Sequence, residues 1–191
     1  MGNFRKHVAD QGRVFRALEF VGLGFKDYIG ARTLLLQELP LQGATLGSSA
    51  VEKFIKALLS LRGEKAQGHL KKSHISSLKN YAPDLAAKLN PEFLEFLEKC
   101  YRLRYTDGLP PNFNLSVYAR EVLAELDHTI IQMESQMVFR RSDGSEVATM
   151  YRSALENKDH RLLSENHVLQ QQDKATFLSK PDVAYLSLIH I

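Results

Sequence analysis

A chain of 191 residues, 44% hydrophobic and 25% charged, carries enough apolar material for one domain with its own core and gives no reason to divide it in two. Its formal net charge of +3 permits contact with a polyanion but excludes the strongly basic class of dedicated nucleic-acid binders. The longest apolar runs, such as TLLLQEL, fall short of a bilayer span, the start MGNFRKHVADQGRVF has no apolar core before a cleavage site, and the single Cys100 cannot close an internal disulfide, which together predict a cytoplasmic protein with no membrane segment.

Residues 1–23 read as an N-terminal extension. A first helix is predicted from about Gly24 to Leu39, because Tyr28, Ala31, Leu35 and Leu39 recur at steps of three and four and so share one face. Pro40 closes it. The second helix begins loosely through Gly43 and Gly47, tightens into SSAVEKFIKALLSLR, and places Ala50, Phe54, Leu58 and Leu61 in one stripe before Gly63 supplies a left-handed stop. Its charges, Glu52, Lys53 and Lys56, fall largely off that stripe. A polar connection, GEKAQGH, leads to a shorter helix around SHISSLKNYA.

The fourth helix has the clearest start, with Asn90 as cap, Pro91 at the first helical position and Glu92 in the first turn. Phe93, Phe96, Leu97, Cys100 and Tyr101 form its apolar face, on which Cys100 reads as a small buried residue. After Gly-Leu-Pro-Pro a long helix is predicted from about Leu115, carrying Tyr118, Val122, Leu126, Ile130, Met133 and Met137 on one side. From Phe25 to about Gln136 no period-two alternation marks a strand. Arg140 to Ser145 is a break, and the weakly amphipathic residues 140–191 read as a tail, either docked or mobile. The last six residues, LSLIHI, match a translated sequencing adapter, so no structural weight falls on Leu186 to Ile191. The expected fold is all-α: an antiparallel bundle of four to five helices spanning residues 24–139, with a polar, helical or mobile tail.

Several site chemistries find no support. GLG at Gly22–Gly24 lacks the third glycine and the preceding strand of a dinucleotide fingerprint, and GATLGSS at Gly43–Ser49 lacks the lysine of a P-loop. The chain has no nucleophile elbow and no second cysteine, and His69 and His74, five residues apart, would leave different faces of a helix. No metal and no cofactor is expected.

LGSSAVEKFIKALLSLRG, a histidine leading HISSLKNY, a helix ending in RYTD and a long closing helix together resemble the HEPN family of small nucleotide-associated helical domains. The likeness covers roughly Phe25 to Gln136, and its most specific parts are Ala50–Ala57 and Arg104–Asp107. The resemblance implies a bundle of helices, frequently a homodimer, whose members act as RNases, often toxins of toxin–antitoxin systems, as partners of nucleotidyltransferase proteins, or as nucleotide-binding appendages. The RNase branch relies on an Arg and a His a short interval apart, a sensible pair for moving a proton and stabilising phosphorane charge. Here no histidine follows Arg104 until His128. Arg62 with His69 and Arg161 with His167 satisfy the interval, but one pair straddles a glycine-bearing loop and the other lies in the tail. The Arg-Tyr-x-Asp segment instead resembles the nucleotidyltransferase-associated branch.

Two readings of that corner stand side by side. Arg102 and Arg104 at a helix C-terminus offset the carbonyl dipole by ~0.3–1 kcal/mol each, while Asp107, Gly108, Pro110 and Pro111 make the turn, and no ligand is required. Alternatively, a guanidinium holds a phosphate, Tyr101 or Tyr105 stacks on a base, and Lys53 and Lys56 add charge. The favoured function is a HEPN-like protein binding nucleotide, RNA or a protein partner through Arg104, Tyr105 and Asp107. The rivals are a metal-independent RNase toxin whose acid-base histidine comes from an unexpected position, and a non-catalytic helical adaptor.

Overall fold

The computed structural model describes residues 11–64, 68–104, 114–141 and 143–188, and the chain is mostly α-helical. Helix α1 (Gln11–Leu36) and helix α2 (Pro40–Leu61) form an antiparallel hairpin. Gly24 meets Phe54, Gly30 meets Leu46 and Gly43 meets Leu35, so the two helices run past each other in opposite directions. Helix α1 starts at Gln11, inside the stretch expected to be an N-terminal extension, and its glycines sit at close contacts. A Cβ on Gly24 would sit 2.9 Å from the Phe54 ring, and one on Gly43 would sit 2.6 Å from Leu35. They are contact points that let two helices approach, at a cost in helix propensity recovered through packing. Pro40 likewise does more than end α1, since it occupies the first turn of α2, where a missing N–H costs nothing. Leu39, expected on the core face, lies in the joint and is exposed.

Gly63 ends α2 with φ +86°, as its sequence position predicts. Helix α3 (Lys72–Tyr81) and a single turn, α4 (Pro83–Ala86), lead to α5 (Pro91–Arg102). Asn90 Oδ1 accepts from the N–H groups of Glu92 at 3.0 Å and Phe93 at 3.3 Å, which is the cap expected from Asn-Pro-Glu. Cys100 is fully buried and its thiol is pushed up to about 12 by that burial, so it is a packing residue and not a nucleophile.

The stretch expected to open the long helix is instead strand β1 (Asn114–Tyr118), followed by α6 (Ala119–Ser135). Val117 points inward while Tyr118, predicted for the core, is exposed. The cause is non-local: β1 pairs antiparallel with β4 (Ala184–Leu188), and Asp182 caps α6 by accepting from Arg120 N–H at 3.0 Å. Leu186 to Leu188 therefore lie in a strand although they were assigned no structural weight. Met137 lies past the end of α6 but is fully buried. The break expected at Arg140–Ser145 falls at a small hairpin, in which β2 (Phe139–Arg140) pairs antiparallel with β3 (Glu146–Val147).

The tail is docked. Helices α7 (Met150–Glu156), α8 (His160–Leu163) and α9 (Lys174–Leu178) lie against α1 and α6, with Leu162 and Phe177 wholly buried. What fixes them is a buried polar knot. Arg32 on α1 pairs with Asp127 on α6, both side chains 0% exposed, and donates to the carbonyls of Arg161 at 3.0 Å and of Ser164. Tyr28 donates to Asp127 Oδ1 at 2.6 Å, and Asn166 reaches the carbonyl of Leu162 at 3.1 Å. Burial works against the charge of Arg32, but Asp127 and Tyr28 together outweigh it and hold the guanidinium above its ordinary value. Tyr28 is pushed well above its ordinary value by burial and then by Asp127, so its phenol remains a donor. Among the described residues no helix is long and apolar enough to cross a membrane.

Candidate functional site

Two of the predicted site residues, Tyr105 and Asp107, lie outside the described residues. The other five, Tyr101, Arg102, Arg104, Lys53 and Lys56, do not form a single bare cationic ledge. Arg102 turns to its own helix and pairs with Glu98 one turn back at 3.1 Å, an exposed contact that fits the helix-end reading. Lys53 pairs with Asp27 on α1 and donates to Ser49 Oγ at 2.6 Å. Lys56 pairs with Glu52 at 2.7 Å and donates to the Gly68 carbonyl at 2.6 Å.

Glu52 is the correction that matters most here. Expected off the apolar stripe among solvated charges, it is 7% exposed and ties the loop after α2 back onto the helix. Its Oε2 accepts from the Leu70 N–H at 3.1 Å, while Oε1 takes Lys56. A buried carboxylate is tolerated because an ammonium and a backbone N–H both meet it. The consequence is positional. His69, the residue before Leu70, is carried to the end of α5, where its ring lies 4.4 Å from the Tyr101 ring at 31°. The Arg104 guanidinium carbon lies 4.4 Å from the centroid of the same Tyr101 ring. His69 Nδ1 is 3.5 Å from Glu52 Oε2, and its side chain is 66% exposed.

The end of α5 is held there by α2, since Thr45 donates to the Cys100 carbonyl at 3.3 Å. Beside Arg104 runs an open groove of ≈ 420 Å³ with aliphatic walls from Leu34, Leu41, Leu46 and Leu103. Ser49, which also holds Lys53, lines it as well. The ion pairs of Lys53 and Lys56 thus reach this corner from α2, and Tyr101 and Arg104 reach it from α5.

No family model, curated protein or solved structure matches this chain.

What the corner can do follows from its own chemistry. A guanidinium is a fork for phosphate oxygens, and an aromatic pair next to it is a surface on which a base can stack. An exposed imidazole with a carboxylate near its second nitrogen is also the arrangement of a proton-transfer group. The other matched pair resolves differently. His167 is buried between the carbonyls of Ala124 and Gln172 and stacks on Phe177 at 5.2 Å, while Arg161 pairs with Asp159, so both belong to the tail's packing. His128 contacts the Lys88 carbonyl at 3.0 Å, away from the corner. His74 is buried and held below its ordinary value, first by burial and then by Lys56, which keeps it neutral. Among the described residues no three His, Cys, Asp or Glu side chains gather as a metal ion would require. The sequence reading missed His69 as a neighbour of Tyr101, because separation along the chain says nothing about where a buried glutamate will fasten a loop.

Proposed function

We propose that the protein is a HEPN-like helical module that binds a nucleotide, or a nucleotide at an RNA end, at the corner where α2 and α5 meet. The observation that carries this reading is the grouping of His69 and Arg104 against the Tyr101 ring beside an aliphatic groove. Arg104 takes the phosphate and the exposed His69 ring extends the surface for a base, while Lys53 and Lys56 are committed to Asp27 and Glu52 and leave Arg104 as the main cation. The resemblance to nucleotide-associated helical domains supports the same ligand class, and it implies a homodimer and a place beside a nucleotidyltransferase or in a toxin–antitoxin system.

Isothermal titration of the full chain with ATP and with GTP tests the reading. Saturable binding is expected, weakened on the order of ten- to a hundredfold in Arg104→Ala, as the loss of a charge-assisted phosphate contact requires. Binding that is absent, or unchanged in the variant, removes the proposal. Solution mass measured on the same sample reads self-association.

A second reading has one observation in its favour. His69 stands beside Arg104 through Tyr101 and has Glu52 at its Nδ1, so an acid-base histidine from an unexpected position is available for metal-independent RNA cleavage. It predicts cleavage of RNA but not of the 2′-deoxy substrate, lost in His69→Ala. Intact RNA after prolonged incubation with the wild-type protein excludes it.

A further inference from the structure

A second cleft lies at the opposite end of α5, where the first turns of α5 and α6 converge with β1 and α9. It measures ≈ 360 Å³ and has no part in the corner described above. Its floor is aromatic and apolar: Phe93 and Phe96 lie with ring centroids 6.3 Å apart and planes 20° from parallel, and Tyr118 is exposed beside them. Its rim is acidic. Glu92 in the first turn of α5 and Glu121 in the first turn of α6 are both exposed, and neither has an ion-pair partner among the described residues. A third carboxylate, Glu125, is paired with Lys174, which cancels the one cation on the rim.

Each glutamate by itself is explained by the favourable placement of an anion at a helix N-terminus. That account does not cover their convergence on one aromatic cleft. Carboxylates repel an anionic ligand, and a neutral apolar ligand gains nothing from them. An ammonium group gains from the carboxylates and from the aromatic rings that line the cleft, while its hydrocarbon stem displaces water from Phe96 and Tyr118. We infer that this cleft binds a small aliphatic amine, a cation with an apolar stem, at a site separate from the phosphate corner.

The full chain titrated with pentylamine, and in parallel with its neutral counterpart 1-pentanol, decides the matter by nuclear magnetic resonance. Saturable shifts at Phe96, Tyr118 and Glu121 are expected for pentylamine, with an affinity at least about tenfold above that of pentanol. Glu121→Gln, an exposed and nearly isosteric change, weakens pentylamine about tenfold and leaves pentanol unchanged, and Phe96→Ala weakens both. Equal affinity for the two probes, an unaffected Glu121→Gln variant, or no saturable shift with pentylamine each overturns the inference. None of these outcomes depends on nucleotide binding, so the two sites stand or fall independently.

Discussion

Asp127→Ala destabilises the fold by about 3–5 kcal/mol, because it leaves the Arg32 guanidinium buried without its counter-charge. Against a typical total of about 5–15 kcal/mol, that loss moves a chain of this size from firmly to marginally folded. Both side chains are 0% exposed, so water cannot replace the missing carboxylate without opening the core. The damage is not confined to α1 and α6. Arg32 also holds the carbonyls of Arg161 and Ser164, and Tyr28, which donates to Asp127, receives Asn166 from the tail at 3.4 Å. Loss of the carboxylate therefore loosens the docked tail as well as the hairpin. Replacing both partners with apolar residues, Arg32→Met with Asp127→Leu, costs less than either single change, since no charge is stranded. It does not reach neutrality, because the two carbonyls lose their donor. Urea unfolding of wild type and the two variants checks the order: wild type most stable, the double variant next, Asp127→Ala last. A single variant as stable as wild type would mean the pair is hydrated.

Glu134 contributes stability that is lost as pH rises from about 4.5 to about 7, against an opposite contribution from His74, which burial holds below its ordinary value. Glu134, on the last turn of α6, is buried, and that burial pushes its carboxyl up to about 7 although Thr149 donates to it and Arg152 Nε lies 3.6 Å away. Its other oxygen, Oε2, has no hydrogen-bond partner among the described residues. Between the ordinary value of 4.5 and the folded value of about 7, the folded chain keeps a proton that the unfolded chain has released. Folding is then favoured at the lower pH, and the advantage is lost as pH passes through the folded value, an effect on the order of 3 kcal/mol. Glu134→Gln keeps an acceptor for Thr149 and removes the titration. Its urea midpoint is expected to exceed that of wild type at pH 8 and to approach it at pH 5. Parallel midpoints at both pH values would show that the carboxylate is solvated in the folded protein.

The features legible in the sequence are those made by neighbours along the chain. Asn90, Pro91 and Glu92 announce the start of α5 because a cap needs only the next three residues, and Gly63 announces the end of α2 because a left-handed residue is a local demand. Contacts between distant segments leave no such trace. The first helix predicted from Gly24 begins at Gln11, and Gly22 and Gly24 lie inside it, where Met150 of the tail and Phe54 of α2 pack against them. Leu115 to Tyr118 follows a helical stripe in sequence but becomes a strand because β4 lies alongside it. Arg32 and Asp127 lie 95 residues apart, and only the folded packing, with Asp127 and the tail's carbonyls as partners, places the arginine in the core. At the candidate site, Tyr101 and Arg104 were legible as residues at a helix end, and Lys53 and Lys56 as charges beside a stripe. The ion pairs that partly neutralise those lysines, and the glutamate that brings His69 to Tyr101, depend on packing that no short window contains.

The measurement closest to the central claim maps where a nucleotide touches the protein. With ATP added to the isotope-labelled full chain, the largest amide and ring shifts are predicted at His69, Tyr101 and Arg104, with smaller ones at Ser49 and Lys53. Shifts centred instead on the Phe93 and Tyr118 cleft, or shifts that never saturate, would contradict the assignment of the phosphate site to the end of α5.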